Sequence, residues 1–468
     1  MKYHHLVLQT VQYHQEKKNR GKLKWWHLTL IGMGSIVGAG FFLGSGVAIN
    51  LAGPSVLIAY LVGGLLSYLS FAALAEMSVN DPNPGSFRHY TRKALGRGVG
   101  FVCGWMYWIG GVFTMSSEIT ALSVFTKYWF PHVPLWVFSI IYSVLALAIN
   151  ITGAKNFGKA ESIFGIIKIT TLVSFIFFGV LVFLKIIPVL PPAGQTASHN
   201  IFSFHRLFPN GFSGMWSALL FVLFSFGGIG VIGFAANELE NQEDLYKAST
   251  ILVLALTVIY FLSIVFVFYF VAWDSITGAQ SPFVTALSSF HIPYFSSLFN
   301  LIIITAAFST MVGALYSIAY VLVSLAKDGQ APPSLAKLNK KSVPVKSLAV
   351  SCTGLAIAVV LSFLLPNSVF ELVTTAAGIM MILNWVFVFA AQIKNRPAYE
   401  KSLGKLKFKM FAYPFSSYLG IGMVFFAIIG CIFNPHQRIG LIVTLLTIIL
   451  ISVGYLLASK LNLLGKKL

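Results

Sequence analysis

A run of about 20 mostly apolar residues is long enough to cross the ~30 Å hydrocarbon core of a bilayer as one helix. This chain of 468 residues contains about twelve such runs, at 26–50, 54–77, 99–128, 134–153, 160–186, 212–236, 249–273, 297–327, 344–365, 370–394, 411–433 and 438–459. Their connections carry the turn residues, as in Asp81-Pro82-Asn83-Pro84-Gly85, Pro131, Pro191-Pro192, Pro332-Pro333 and Pro366-Asn367. The runs are apolar all round, and only 10% of the chain is charged against about 25% in soluble domains. Lipid cannot pair with backbone N–H and C=O groups, so such runs must be helices. The expected fold class is an all-α membrane protein with about 12 transmembrane helices and no soluble domain between them.

The net charge of +19 invites a nucleic-acid reading, but its distribution argues otherwise. With the N-terminus placed inside, 27 of the 32 basic residues fall on inner segments and four on outer ones, and Lys168 belongs to neither. Such a bias orients membrane helices and puts both termini on the cytoplasmic side. The positive charge faces anionic inner-leaflet lipid, so membrane lipid is an expected partner and nucleic acid is not. No cleavable signal peptide is expected, since no short apolar region with a small-residue cleavage site precedes Trp25. Cys103, Cys352 and Cys431 lie inside apolar runs with no metal-like spacing. They read as small hydrophobes, and no metal or cofactor is expected.

Two spans are poor recipes for continuous helix. The first contains Gly32, Gly34, Gly38, Gly40, Gly44 and Gly46 within fifteen residues, and each glycine costs about 1 kcal/mol against alanine. The sixth carries Gly227, Gly228 and Gly230 after Phe224-Ser225-Phe226. First and sixth are corresponding positions in two five-helix halves, the pattern of an inverted-repeat transporter with a site at mid-membrane. Unwound backbone frees N–H groups that suit a carboxylate and carbonyls that suit an ammonium, and an α-amino acid offers both. The plainer alternative is close helix packing, for which Gly34 and Gly38 have the right spacing.

At these residues the sequence resembles the amino acid–polyamine–organocation superfamily, and within it the bacterial amino acid permeases, from about Trp25 to Lys460. The resemblance rests on Ile36-Val37-Gly38-Ala39-Gly40-Phe41-Phe42-Leu43-Gly44-Ser45-Gly46, Ala52-Gly53-Pro54, Ala75-Glu76-Met77 and Gly85-Ser86-Phe87. It continues through Gly104-Trp105-Met106-Tyr107-Trp108, Glu118-Ile119-Thr120-Ala121, Phe224-Ser225-Phe226-Gly227-Gly228, Ser281-Pro282-Phe283 and Leu325-Ala326-Lys327-Asp328-Gly329-Gln330-Ala331-Pro332. The resemblance implies a 5+5 inverted-repeat core at 25–394 with helices 1 and 6 broken, and two further C-terminal helices at 411–459. A tail at 1–24, a loop at 395–410 and a tail at 460–468 lie on the cytoplasmic side. It implies that Ile36, Val37, Gly38, Ala39 and Gly40 bind substrate together with Phe224, Ser225, Phe226, Gly227 and Gly228, and that Phe224 closes as a gate. The sequence departs from the family pattern at Ala39, Gly230, Val312 and Tyr320.

An ionisable residue inside a span is a functional hypothesis by default. Lys168 lies about 13 Å into the fifth span, near the bilayer midplane, with Glu161 and Thr171 on its stripe. In sodium-coupled relatives an ion sits at this level, and the resemblance implies that the Lys168 ammonium replaces it. Its expected partners are carbonyls near Gly34–Val37 and a hydroxyl such as Ser309. A structural lysine is the alternative. Glu118, in the outer half of the third span, reads equally as a second titrating group or as an internal strut. Glu76, Glu238, Glu240 and Glu371 sit at span ends and read as solvated or capping. The ten histidines fall in termini, loops or span ends.

The second break has no acidic side chain beside it, and no arginine lies deep in any span. A neutral amino acid is therefore the expected cargo. Gly110, Gly111 and Met106, with the glycines of the sixth span, suggest room for a bulky apolar or aromatic side chain. The leading expectation is proton-coupled uptake of such a substrate across the inner or plasma membrane by alternating access. Exchange without net proton coupling and a non-transporting sensor stay open, as does the oligomeric state. No HExxH, GxSxG or paired intramembrane carboxylates suggest an enzyme, and no P-loop suggests a pump.

Overall fold

The computed structural model describes residues 23–83, 85–152, 154–187, 207–228, 233, 239–339, 343–365 and 368–461, with backbone alone at 152 and 154–162. The first span is made of α1 (Trp25–Ile36), α2 (Ala39–Phe42) and α3 (Gly44–Ala52). The second is α4 (Val56–Asn80), and an amphipathic α5 (Ser86–Leu95) leads to the third, α6 (Arg97–Lys127). The fourth and fifth are α7 (Leu135–Thr152) and α8 (Ala154–Phe183), and the described half of the sixth is α9 (Gly211–Ser225). Then come α10 (Asp244–Phe270), a short α11 (Pro282–Ser288), α12 (Phe295–Lys327), α13 (Val345–Leu364), α14 (Val369–Leu403), α15 (Phe415–Gly430) and α16 (Pro435–Lys460). Helices α10 and α12 to α16 are spans seven to twelve.

Among the described residues, nine helical stretches are long and apolar enough to cross a membrane, and two shorter ones fill the fourth and sixth places. One of the nine, Ala39–Asn80, joins the second half of the first span to the second span. A tight bend at Gly53-Pro54 separates them, with Gly53 at φ 61°. Twelve spans therefore stand, as expected from the apolar runs. Gly230 and Glu238 lie outside the described residues, as does the side chain of Glu161.

Helix packing repeats with a shift of five spans. The third span packs on the tenth and the eighth on the fifth; the sixth packs on the second and the first on the seventh. The third packs on the fourth and the eighth on the ninth. The pairs two and seven, three and eight, and four and nine map onto themselves. Consecutive spans alternate in direction and five is odd, so counterparts run antiparallel. The ten-helix core is thus an inverted repeat, and α15 and α16 lie outside it against α14.

One expectation is corrected on the face that carries most of the basic residues. Glu76 is fully buried. It accepts from the Met410 N–H (2.5 Å), Gln392 Nε2 (2.8 Å) and Arg396 Nη1 (3.3 Å). A carboxylate packed inside the fold must be paired in this way, and it ties α4 to α14 and the chain leading to α15. Nearby, Asp328 pairs with Arg88 and Arg92 and clamps α5 to the end of α12. Glu240 is exposed, as expected.

Candidate substrate and coupling site

The first span breaks where its glycines predict. Helix α1 ends at Ile36, Val37 is extended (φ −73°, ψ 106°), Gly38 is extended (φ −149°, ψ −154°), and helix resumes at Ala39. The Gly38 N–H finds no acceptor among the described residues. The Ala39 N–H donates to Glu118 of α6, at 3.0 Å to Oε2 and 3.2 Å to Oε1. A side chain at Gly38 is excluded, because its Cβ would lie 2.7 Å from Glu118 Oε1 and 2.8 Å from Thr310 Oγ1. The carboxylate and the hydroxyl thus face each other across bare backbone.

Lys168 reaches the same break from α8. Its side chain is fully buried, and Nζ donates to the Gly34 carbonyl at 2.5 Å and to Thr310 Oγ1 at 2.9 Å. Thr310 Oγ1 is also 3.2 Å from the carbonyls of Val37 and Ala306, and its one proton serves one of them. Close approach of the helices allows this reach, since a Cβ on Gly165 would lie 3.1 Å from Gly34 Cα. Gly34 is therefore a packing glycine, whereas Gly38 leaves space for two polar groups. Ser309 is buried one residue before Thr310. Thr310 was not foreseen, because a regular apolar helix does not mark which of its hydroxyls reach a neighbouring span.

The sixth span stops at Ser225, and Phe226 and Gly227 donate back to the carbonyls of Leu223 and Phe224, each at 3.0 Å. Ser225 Oγ lies 2.7 Å from the Gly40 carbonyl and 3.1 Å from that of Phe221, and its own carbonyl accepts from Tyr260 at 3.1 Å. Tyr260 was not foreseen, since it lies in an otherwise featureless apolar run. The two breaks interlock reciprocally. The Phe224 ring occupies the space where a Cβ on Gly40 would be, 2.9 Å from Cδ1. Ile36 occupies the matching space at Gly228, which has φ 146°. Each partner lies four residues before the glycine of its own span. Phe224 is 6% exposed.

Side chains pack closely around the sixth-span break. Phe226 turns its ring away from the break into a cluster with Tyr60 and Tyr260, 5.2 Å from the latter. Contrary to expectation, the glycines at 110, 111, 227 and 228 do not leave open space beside them. Met381 fills the space beside Gly227, Ile36 that beside Gly228, Met380 that beside Gly110 and Ile318 that beside Gly111. Packing closes these spaces because side chains from other spans reach them. Tyr320 stacks on Tyr316 at 4.6 Å, and the Val312 carbonyl accepts from Asn150 at 3.3 Å. Among the described residues no group of three or more metal-binding side chains forms.

Two interrupted helices thus clasp each other, with a buried ammonium and carboxylate at one break. The model of the amino acid permease family matches residues 27–467. The chain belongs to the amino acid permease family. It is 35% identical to the uncharacterized transporter YcgH of Bacillus subtilis, over 95% of this chain and 97% of that protein. It is 31% identical to the aromatic amino acid transport protein AroP of Escherichia coli O6:H1, over 96% and 98%. It is 33% identical to the uncharacterized amino acid permease YtnA of Bacillus subtilis, over 92% and 93%. The permease is accordingly a multi-pass membrane protein that transports amino acids and is not an enzyme.

Proposed function

We propose that this permease takes up a neutral, aromatic amino acid together with protons across the cell membrane, with both termini on the cytoplasmic side. The observation that carries the coupling part is the buried chain of polar groups at the first break. Lys168, Thr310 and Glu118 approach one stretch of bare backbone from three different helices. Opposite charges compensate each other in a medium that penalises a lone one. Moving a proton on or off either group changes that balance at Gly38, and with it the tie between α1 and α12. Ser309 belongs to the same coupling group by its position.

The substrate carboxylate takes the free Gly38 N–H, with Glu118 holding the neighbouring Ala39 N–H in place. The ammonium takes carbonyls where the two spans are open, from Ile36–Gly40 and from Phe224, Ser225, Phe226, Gly227 and Gly228. The side chain lies against Phe224, Ile36 and Met381, an apolar wall whose flexible thioether suits an aromatic ring. The likeness to AroP, an aromatic amino acid transport protein, supports the same side-chain class. The transport unit is 25–394, flanked by tails 1–24 and 460–468 and the loop 395–410.

The test is uptake of labelled phenylalanine, tyrosine, tryptophan and leucine into proteoliposomes, with and without an inward acid gradient. An aromatic substrate that accumulates only with the gradient supports the proposal. Uptake that ignores the gradient but needs amino acid trapped inside makes the protein an exchanger, with Lys168 a fixed tie. Binding without uptake makes it a sensor.

A further inference from the structure

Along the same pair of helices that Lys168 and Thr310 join, a groove of 520 Å³ runs between α8 and α12. Its floor is Phe175, Leu287 of α11 and Phe299, all buried, and its lips are Ile166 and Leu298, which are more than half exposed. The groove exists because α8 carries two small residues one turn apart, Thr170 and Ser174, where its outward face otherwise presents Ile163, Ile166 and Phe177. The Thr171 hydroxyl on its wall is already spent on the Ile167 carbonyl at 2.7 Å.

The surface around the groove is apolar and faces hydrocarbon, so bilayer lipid is what meets its mouth. Water has few partners there, and a buried water needs about two to four. Along α8 the groove extends from Ile166 to Phe178, a rise of about 18 Å. One leaflet of a ~30 Å core is ~15 Å deep. The groove thus runs from the midplane to the interface that carries few basic residues, the depth of one acyl chain. Its volume lies within the range of about 300–1,000 Å³ seen for ligand sites.

We propose that this groove is a binding site for one acyl chain of a membrane phospholipid, from the leaflet away from the basic loops. The chain fills the cleft between the fifth and eighth spans, and its methyl end reaches Ile166 and Ile167, beside the Lys168 tie. Lys168 and Thr310 hold the two helices together at mid-membrane, and the lipid supplies the packing that their side chains leave out above that point. The proposal rests on both helices crossing the bilayer and is independent of what the permease carries or whether protons drive it.

The test uses the full chain in liposomes containing a phosphatidylcholine probe with a diazirine on its acyl chain. After irradiation, labelled peptides are mapped by mass spectrometry. The expected result is several-fold more label at Thr170, Ser174 and Phe299 than at Phe177 and Leu301, which face bulk lipid. Ser174→Trp fills the groove and removes that excess, whereas Val173→Trp, on the neighbouring lipid face, keeps it. The wild-type map decides the matter even if Ser174→Trp does not fold. Label spread evenly over all lipid-facing residues overturns the proposal. So does rapid reaction of Ser174→Cys with a water-soluble, membrane-impermeant maleimide, which makes the groove a water crevice. Oxidative cross-linking of Ser174→Cys between two copies also overturns it, since the occupant is then a second subunit.

Discussion

The first and sixth spans break at equivalent places and solve the same problem with different chemistry. Both lose helical hydrogen bonds in a medium that offers no replacement. At the first break the replacements are charged or strongly polar: Glu118 on the Ala39 N–H, Lys168 on the Gly34 carbonyl and Thr310 beside Val37. At the described part of the sixth they are neutral: Ser225 and Tyr260, and the back-turned N–H groups of Phe226 and Gly227. The fold is symmetric but the electrostatics are not. On the proposed function, proton sensing falls to the break that holds the titratable groups, and side-chain selection to the break that presents Phe224 and Met381. This division of labour is open to direct attack.

The largest effect is expected for Lys168→Met, which leaves the Gly34 carbonyl unpaired and Glu118 uncompensated. Breaking such a buried ionic arrangement costs about 3–5 kcal/mol, enough to lower gradient-driven accumulation by about a hundredfold or more. Retained accumulation would show that the charged break is structural. Glu118→Gln comes next, since it keeps an acceptor for the Ala39 N–H and removes the charge. Substrate exchange should persist while accumulation above equilibrium disappears. If accumulation survives, Lys168 alone carries the coupling.

Smaller effects sharpen the comparison between the two interlocks. Gly40→Ala and Gly228→Ala should each lower uptake by about tenfold, as overpacking costs about 1–3 kcal/mol, whereas Gly422→Ala, with open space around it, should be silent. The two differ in rescue. Phe224→Leu should restore stability to Gly40→Ala, read as the melting midpoint in detergent. Ile36→Val should restore little to Gly228→Ala, because the backbone at φ 146° remains strained whatever the space. Equal rescue would make the interlocks equivalent. The smallest change is expected for Ser225→Ala, which removes one neutral hydrogen bond worth about 1 kcal/mol and should lower the melting midpoint slightly without altering gradient dependence.

Much of the fold was legible beforehand, because lipid reads length and hydropathy directly. Twelve runs became twelve spans, and six glycines in the first marked its break. The ammonium of Lys168 was found at the predicted carbonyl, since a charge at that depth has few places to go. The small helix α5 was not anticipated, because its apolar face is too short to stand out among spans. The glycines at 110, 111, 227 and 228 were misread as open volume, since a missing side chain in the sequence says nothing about which neighbour fills its place.

By itself, then, the sequence determined the solvent of this protein, its span count and orientation bias, the two places where helix fails and the presence of one cation at midplane depth. Those properties depend on composition and local spacing, which a bilayer converts into structure with little ambiguity. The tertiary structure alone decided that Glu118 faces Ala39, that Thr310 receives Lys168, and that Ile36 and Phe224 each occupy the other break's glycine. These partners are tens to hundreds of residues apart, and only the packing of one helix face on another selects which of several similar side chains meet.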